Sequence, residues 1–156
     1  MPKVPSFRRG VRLAIDWGKA RIGVAACDAD ALLAYPVETV PNDDSTMARL
    51  QTLIAEYQPI EIVLGWPKNL CGQEGPAVEY MSQVAEKLTV FGLDIRLIDE
   101  RLTTATVNKQ FLAMGKSTKK TREIVDQAAA AAILTSAIEE EKQTLKPPGR
   151  LFQDGR

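Results

Sequence analysis

The stretch Leu13-Ala-Ile-Asp16-Trp-Gly18-Lys-Ala-Arg21-Ile-Gly23-Val-Ala-Ala26 decides how the chain is read. Its first half is apolar and ends on an acid, it turns at Gly18, and it is apolar again from Ile22 to Ala26. Two apolar runs this close together predict a hairpin, with Asp16 at the carboxyl end of its first strand. The glycines at 18 and 23 would let the backbone approach a ligand with no side chain in the way. A carboxylate at such a sheet edge suits the approach of a metal ion or a phosphate, which leaves two kinds of enzyme fold open.

Outward from the hairpin, Val11 to Asp16, Arg21 to Ala26 and a stretch around Ala34 to Val40 read as strands. Pro41-Asn-Asp-Asp-Ser45 is turn chemistry ending in an N-cap residue. Leu50, Leu53, Ile54 and Tyr57 then recur at helical spacing up to Gln58-Pro59. Ile60 to Gly65 reads as a buried strand. A loop with Gly65-Trp-Pro leads to Pro76, which suits a first helical turn, and Val78, Met81, Ala85 and Leu88 share a face up to a closing Gly92. Asp94 to Asp99 is a further strand. Thr103 would cap a helix ending at Met114-Gly115, and a last helix runs from about Arg122 to Glu141, with Val125, Ala129, Ala132, Ile133 and Ser136 on one face. Strands joined through helices favour parallel pairing, whereas the opening strands are close enough for hairpins. The expected fold is α/β, a mixed five-stranded sheet flanked by helices. The expected organisation is a flexible basic N-terminal arm over 1–10, one domain over 11–141 and a flexible C-terminal tail over 142–156.

At 156 residues the chain can bury a core as a single domain. Lys plus Arg equals Asp plus Glu, 20 against 20, so no global field draws it to nucleic acid or membrane. No apolar run is long enough to span a bilayer and no signal-peptide pattern opens the chain, so the cytoplasm is the expected location. Cys27 and Cys71 are isolated, which implies neither a zinc site nor a disulfide framework. There is no histidine. That removes Ser-His-Asp and Cys-His nucleophiles and His-ligated zinc, and leaves carboxylates, lysine, hydroxyls or a carboxylate-bound hard metal for any hydrolysis.

Sites in open sheets gather at the carboxyl ends of strands. Asp16, Gly65-Trp66-Pro67 and Asp99-Glu100-Arg101 all stand there. Asp126 falls in the first turn of the predicted last helix, and the small residues from Ala128 to Ala132 would bring that helix close enough for Asp126 to face Asp16. Singly, these acids read as turn formers, caps or surface ion pairs. Together, acids from three distant segments would repel one another unless a cation neutralised them, and oxygen-only ligands suit Mg2+ or Mn2+. Two such ions about 3.5–4 Å apart can clamp a phosphodiester and activate water.

These residues resemble the YqgF/RuvX family, from about Val11 to Ile138. The likeness rests on Asp16-Trp-Gly-Lys-Ala-Arg-Ile-Gly23-Val-Ala, on Gly65-Trp-Pro with Asn69 and Gly72, on Asp99-Glu-Arg-Leu-Thr-Thr104 and on Asp126-Gln-Ala-Ala-Ala-Ala-Ala-Ile133-Leu. It implies an RNase H-like (RuvC-type) fold and a metal-dependent nuclease acting in 5′-end maturation of the pre-16S rRNA during ribosome biogenesis. The alternatives it carries are a Holliday junction resolvase and a non-catalytic RNA-binding assembly factor. By motif position Asp16 becomes the main metal ligand, Glu100 the second acid and Asp126 the third. Asp99 competes with Glu100, because adjacent strand residues face opposite ways.

Arg21, Arg101, Lys119, Lys120 and Arg122 would hold phosphates, giving affinity rather than sequence choice. Thr103 and Thr104 would orient the ligands or cap the helix. Where the family has leucine after Gly65 this chain has Trp66, either a packing residue or a surface for a base. The implied partners are an rRNA precursor, with branched DNA as the alternative, and the ribosome or its precursors, for a monomer or weak homodimer. An actin-like ATPase shares the Asp-x-Gly hairpin but needs two such domains, more than this chain supplies.

Overall fold

In a computed structural model of the chain, residues 7–67, 76–99 and 119–152 are described. Three strands open the fold: β1 (Arg12–Trp17), β2 (Arg21–Cys27) and β3 (Ala34–Pro41). Helix α1 (Thr46–Tyr57), strand β4 (Glu61–Trp66), helix α2 (Pro76–Leu88) and strand β5 (Asp94–Asp99) follow. Helix α3 (Lys119–Thr144) and a short strand β6 (Arg150–Leu151) close it. The helix expected from Thr103 to Gly115 lies outside the described residues.

The sheet order is β3-β2-β1-β4-β5-β6. β1, β4 and β5 are parallel, and β2, β3 and β6 run against their neighbours. This is the mixed sheet expected, with six strands in place of five. The extra strand lies in the segment read as a tail. Its backbone pairs with Arg96 and Leu97, and Gly149 leads into it at φ 60, its N–H donating to Glu140 at 2.6 Å. A two-residue strand carries too little periodicity to be seen in sequence.

Strand alternation divides the core in two. Leu13, Ile15, Ile22, Val24, Ile62, Leu64, Trp66, Ile95 and Leu97 face α1 and α2, meeting Leu50, Leu53, Met81, Val84, Ala85 and Leu88. Ala14, Ala25, Cys27, Val63 and Ile98 face α3, meeting Ala130, Ile133, Leu134, Ala137 and Ile138. Ala14, Gly23, Ala25 and Cys27 keep the middle of the α3 side of β1 and β2 small, so a helix can lie close to it. Gly23 is the extreme case, since a Cβ there would overlap the Asp126 carbonyl.

Several local expectations shift. α3 starts before Arg122 and continues past Glu141, so Asp126 lies well inside the helix and not in its first turn, away from the reach of the helix terminus. Its buried face is set by Val125, Ala129 and Ile133 as expected, but Ser136 is exposed and Ala137 takes its place. Ser45 precedes α1 without a capping side-chain bond; its N–H and hydroxyl go to Asp43, and the Asp43 N–H goes to Thr46. Gly92 closes a single 3₁₀ turn after α2, not α2 itself.

Candidate active site

The parallel strands present their carboxyl ends at one edge, and Asp16 stands there on β1. Its partner across the antiparallel pair is Gly23, so the Asp16 side chain and the missing Gly23 side chain share the α3 face. α3 fills that gap with the Asp126 backbone, and a Cβ on Gly23 would lie 3.2 Å from that of Asp126. Cross-strand Cβ atoms are about 4.5–5.5 Å apart, so Asp16 and Asp126 flank one glycine. On the other side of Asp16, β4 offers Gly65, the residue after Leu64, which pairs with Ile15. Asp16 thus has backbone for neighbours on both flanking strands, and it is 6 % exposed.

The glycines of the hairpin serve contacts within the chain rather than leaving open room for a ligand. Gly23 is filled by α3. Gly18 turns the hairpin, its N–H donating to the Arg21 carbonyl at 3.0 Å, and its own carbonyl accepts from the Asn42 amide at 2.8 Å.

Arg21, two residues before Gly23 and on the same face, donates through Nε to Asp126 Oδ2 at 2.7 Å. Expected from sequence to hold a phosphate, it is paired here with Asp126. Thr39 on β3 holds the same turn of α3, its hydroxyl donating to the Glu123 carbonyl at 2.6 Å and accepting from Gln127 at 3.2 Å. The end of the helix that carries Asp126 is therefore pinned to β2 and β3.

Of the pair Asp99 and Glu100, β5 carries the first. Asp99 pairs with Trp66 and alternates with Leu97 and Ile95, which puts it on the α1/α2 face, away from Asp16. Glu100 and Arg101 lie outside the described residues. Lys119 and Lys120 open α3, but their side chains lie outside them too, as does the Asn69–Gly72 part of the loop. Arg122 is exposed one turn before Asp126. Among the described residues no three metal-ligating side chains come together, and Asp16 and Asp126 are the expected ligands that they contain.

Trp66 packs into the α1/α2 core at 6 % exposure, with the Arg150 guanidinium 6.0 Å from its ring centre. It has no face to offer a base. Cys27 is a free, buried thiol whose pKa is pushed up by that burial. No described helix is long and apolar enough to cross a membrane.

The opposite end of the α3 face holds a group that the sequence reading missed. Arg12 opens β1 and Glu61 opens β4, both buried, and Glu141 meets them from α3. Arg8 bridges Glu61 at 2.9 Å and Glu141 at 2.8 Å, and Arg12 reaches Glu141 at 3.2 Å. Arg12 also donates to the carbonyls of Gly10 and Arg8 at 2.6 Å, and its guanidinium lies 4.5 Å from the Phe7 ring centre. Residues 7–10, part of the predicted arm, are thereby tied to the domain. A lone Glu61 in an apolar strand was the available signal.

A sequence profile of the RuvX family, described as Holliday junction resolvase, matches residues 10–140. A Streptomyces coelicolor protein named "Putative pre-16S rRNA nuclease" is 49% identical, covering 93% of this chain and 89% of its own. Proteins of the same name from Streptomyces avermitilis, 50% identical over 92% of this chain and 94% of theirs, and Thermobifida fusca, 40% identical over 94% and 98%, are similar along the whole domain. Among solved structures, Thermus thermophilus RuvC superposes with a TM-score of 0.52 at 16% identity, covering 88% of this chain and 99% of that one. That likeness establishes the RNase H-like, RuvC-type fold.

Proposed function

The chain belongs to the RuvX family, and from that membership we propose that it is a metal-dependent nuclease that hydrolyses phosphodiester bonds in 5′-end processing of the pre-16S rRNA. The observation that carries the reading is the meeting of Asp16 and Asp126 around Gly23 at the carboxyl edge of the sheet. Two acids from segments far apart in sequence share one face there, with Arg21 paired to Asp126.

The donor set fits a hard divalent cation, Mg2+ or Mn2+, because every expected ligand is a carboxylate oxygen. Asp16 would be the principal ligand, with Asp126 and Glu100 as the other two acids of the set. Since Asp99 stands on the other face, Glu100 is the member of that pair that suits the site. A cation held by these acids would supply an activated water and stabilise charge on the phosphodiester.

The chain's own residues bind and orient. Arg21 holds Asp126 in place through its ion pair and would contact a phosphate bound beside that acid. Arg122, Arg101, Lys119 and Lys120 would supply further phosphate contacts. A chain of balanced charge that binds through such contacts loses affinity steeply with salt.

The test offers purified protein a pre-16S 5′ leader and a four-way DNA junction, each with Mg2+, Mn2+ or chelator. Cleavage of the leader that stops on chelation is the expected result. Cleavage of the junction alone would replace rRNA processing with DNA resolution, and RNA binding with no cleavage under any metal would leave an assembly factor.

A further inference from the structure

We propose that Trp17 and Tyr80 form a stacking platform beside the acid site that receives an unpaired base next to the scissile phosphate. The proposal rests on the nuclease reading and adds to it the class of substrate, a single-stranded or frayed segment.

Trp17 follows Asp16 directly and is the last residue of β1. Alternation sends Asp16 to the α3 face and Trp17 to the α1/α2 face, so both side chains leave the same sheet edge. Trp17 packs against the border of the α1/α2 core while remaining partly exposed. Its indole N–H donates to the Tyr80 hydroxyl at 3.1 Å, and Tyr80, on α2, is 37% exposed. The bond satisfies the one polar atom of the indole and fixes the plane of the ring, so stacking upon it immobilises little more. Trp66 ends the next strand on the same face and is buried, so of the chain's two indoles Trp17 is the one with a face to offer.

The acids and cations at this edge suit phosphate, and a fixed aromatic surface one residue away suits the other half of a nucleotide. Stacking does not distinguish bases, because each has a π-face. It does distinguish paired from unpaired, because in a continuous duplex both faces of a base are covered by its neighbours.

Cleavage kinetics on single-stranded RNA, on the same RNA carrying an abasic site beside the cut, and on the fully paired duplex test this in wild type, Trp17→Phe and Trp17→Leu. Leucine keeps an apolar side chain for packing and loses the stacking face; phenylalanine keeps both. Trp17→Leu is expected to raise KM about tenfold on single-stranded RNA with kcat held, while Trp17→Phe, which keeps a stacking face but not the bond to Tyr80, falls between that variant and wild type. The abasic site should raise the wild-type KM to a similar degree and add nothing in Trp17→Leu. RNA should quench wild-type tryptophan emission but not that of Trp17→Leu, where Trp66 alone remains.

An unchanged wild-type KM on abasic RNA overturns the platform whether or not the leucine variant folds, and leaves the nuclease reading standing. So does preferential cleavage of the duplex. If the wild-type chain cuts no nucleic acid with any divalent metal, the nuclease reading fails and the platform falls with it.

Discussion

Asp126 and Glu141 lie toward the two ends of α3 and meet the same sheet face at its two edges. Around Glu141 the polar groups close on one another. Two guanidinium groups face two carboxylates, and burial is nearly complete for Arg12, Glu61 and Glu141. Around Asp126 the composition differs: Asp16 and Asp126 meet at a glycine, and Arg21 answers one of them from a more exposed position. The closed end spends its charges holding the N-terminal segment, β1, β4 and α3 together. The other end brings acids together at the carboxyl edge of the sheet, with the aromatic pair and the exposed Arg122 nearby. One helix thus serves as a structural tie at one end and carries the candidate ligand Asp126 toward the other.

If the two ends differ in this way, the largest stability loss comes from the closed one. Glu141→Gln leaves buried Arg12 without its countercharge and should cost about 3–5 kcal/mol in denaturant unfolding, with activity per folded molecule unchanged. A cost under about 1 kcal/mol would remove the distinction. pH sharpens it further. Burial pushes Glu141 upward, but hydrogen bonds from Arg8 and the charges of Arg12 and Arg8 outweigh it and hold the acid below its ordinary 4.5. Its charged form therefore stabilises the fold above pH 4.5, and that contribution fades as pH falls through the lowered value. The gap between wild type and Glu141→Gln should narrow across that acid range.

At the other end the loss should be of activity. Asp16→Asn should lower cleavage at least about a hundredfold while RNA binding persists, beyond what removing an outer-shell partner of a metal ligand costs. Cleavage within tenfold of wild type would take Asp16 out of the site. Gly23→Ala tests the junction of the two roles. Its methyl must displace the α3 backbone at Asp126, and overpacking of this kind should cost about 2–3 kcal/mol and lower activity together. The smallest effect is expected at Glu61. Burial holds its pKa above the ordinary value despite Arg8, and its Oε2 has no hydrogen-bond partner. Its ionised form is thus favoured less in the fold than in the unfolded chain, and what it contributes below pH 4.5 is lost as pH rises through the raised value. Glu61→Gln, measured at neutral pH, should stay within about 1 kcal/mol of wild type.

The hairpin, the helical spacing of α1 and α2 and the apolar β4 and β5 were legible because their side-chain periods are local. β6 was not, nor were the ends of α3, since both depend on partners far away in sequence. Among candidate site residues, Asp16 and Asp126 stood out through motif spacing, while the pairing of Arg21 with Asp126 did not. A basic residue near a turn carries no sign of which acid will reach it. Trp17 stood inside the quoted hairpin yet passed as a strand residue, because Tyr80 comes from α2.

Sequence by itself determined the chemistry available: carboxylates in place of histidine, acids at strand ends, and an ordered set of motifs sufficient to identify a family. Tertiary structure alone decided which of these groups meet. The α3 face is shared by Asp16, Gly23 and Asp126 and closed at its far end by Arg12, Glu61 and Glu141, whereas Asp99 and Trp66 face the other way. Strand register and helix placement set that division, and both arise from packing between segments that no local pattern connects.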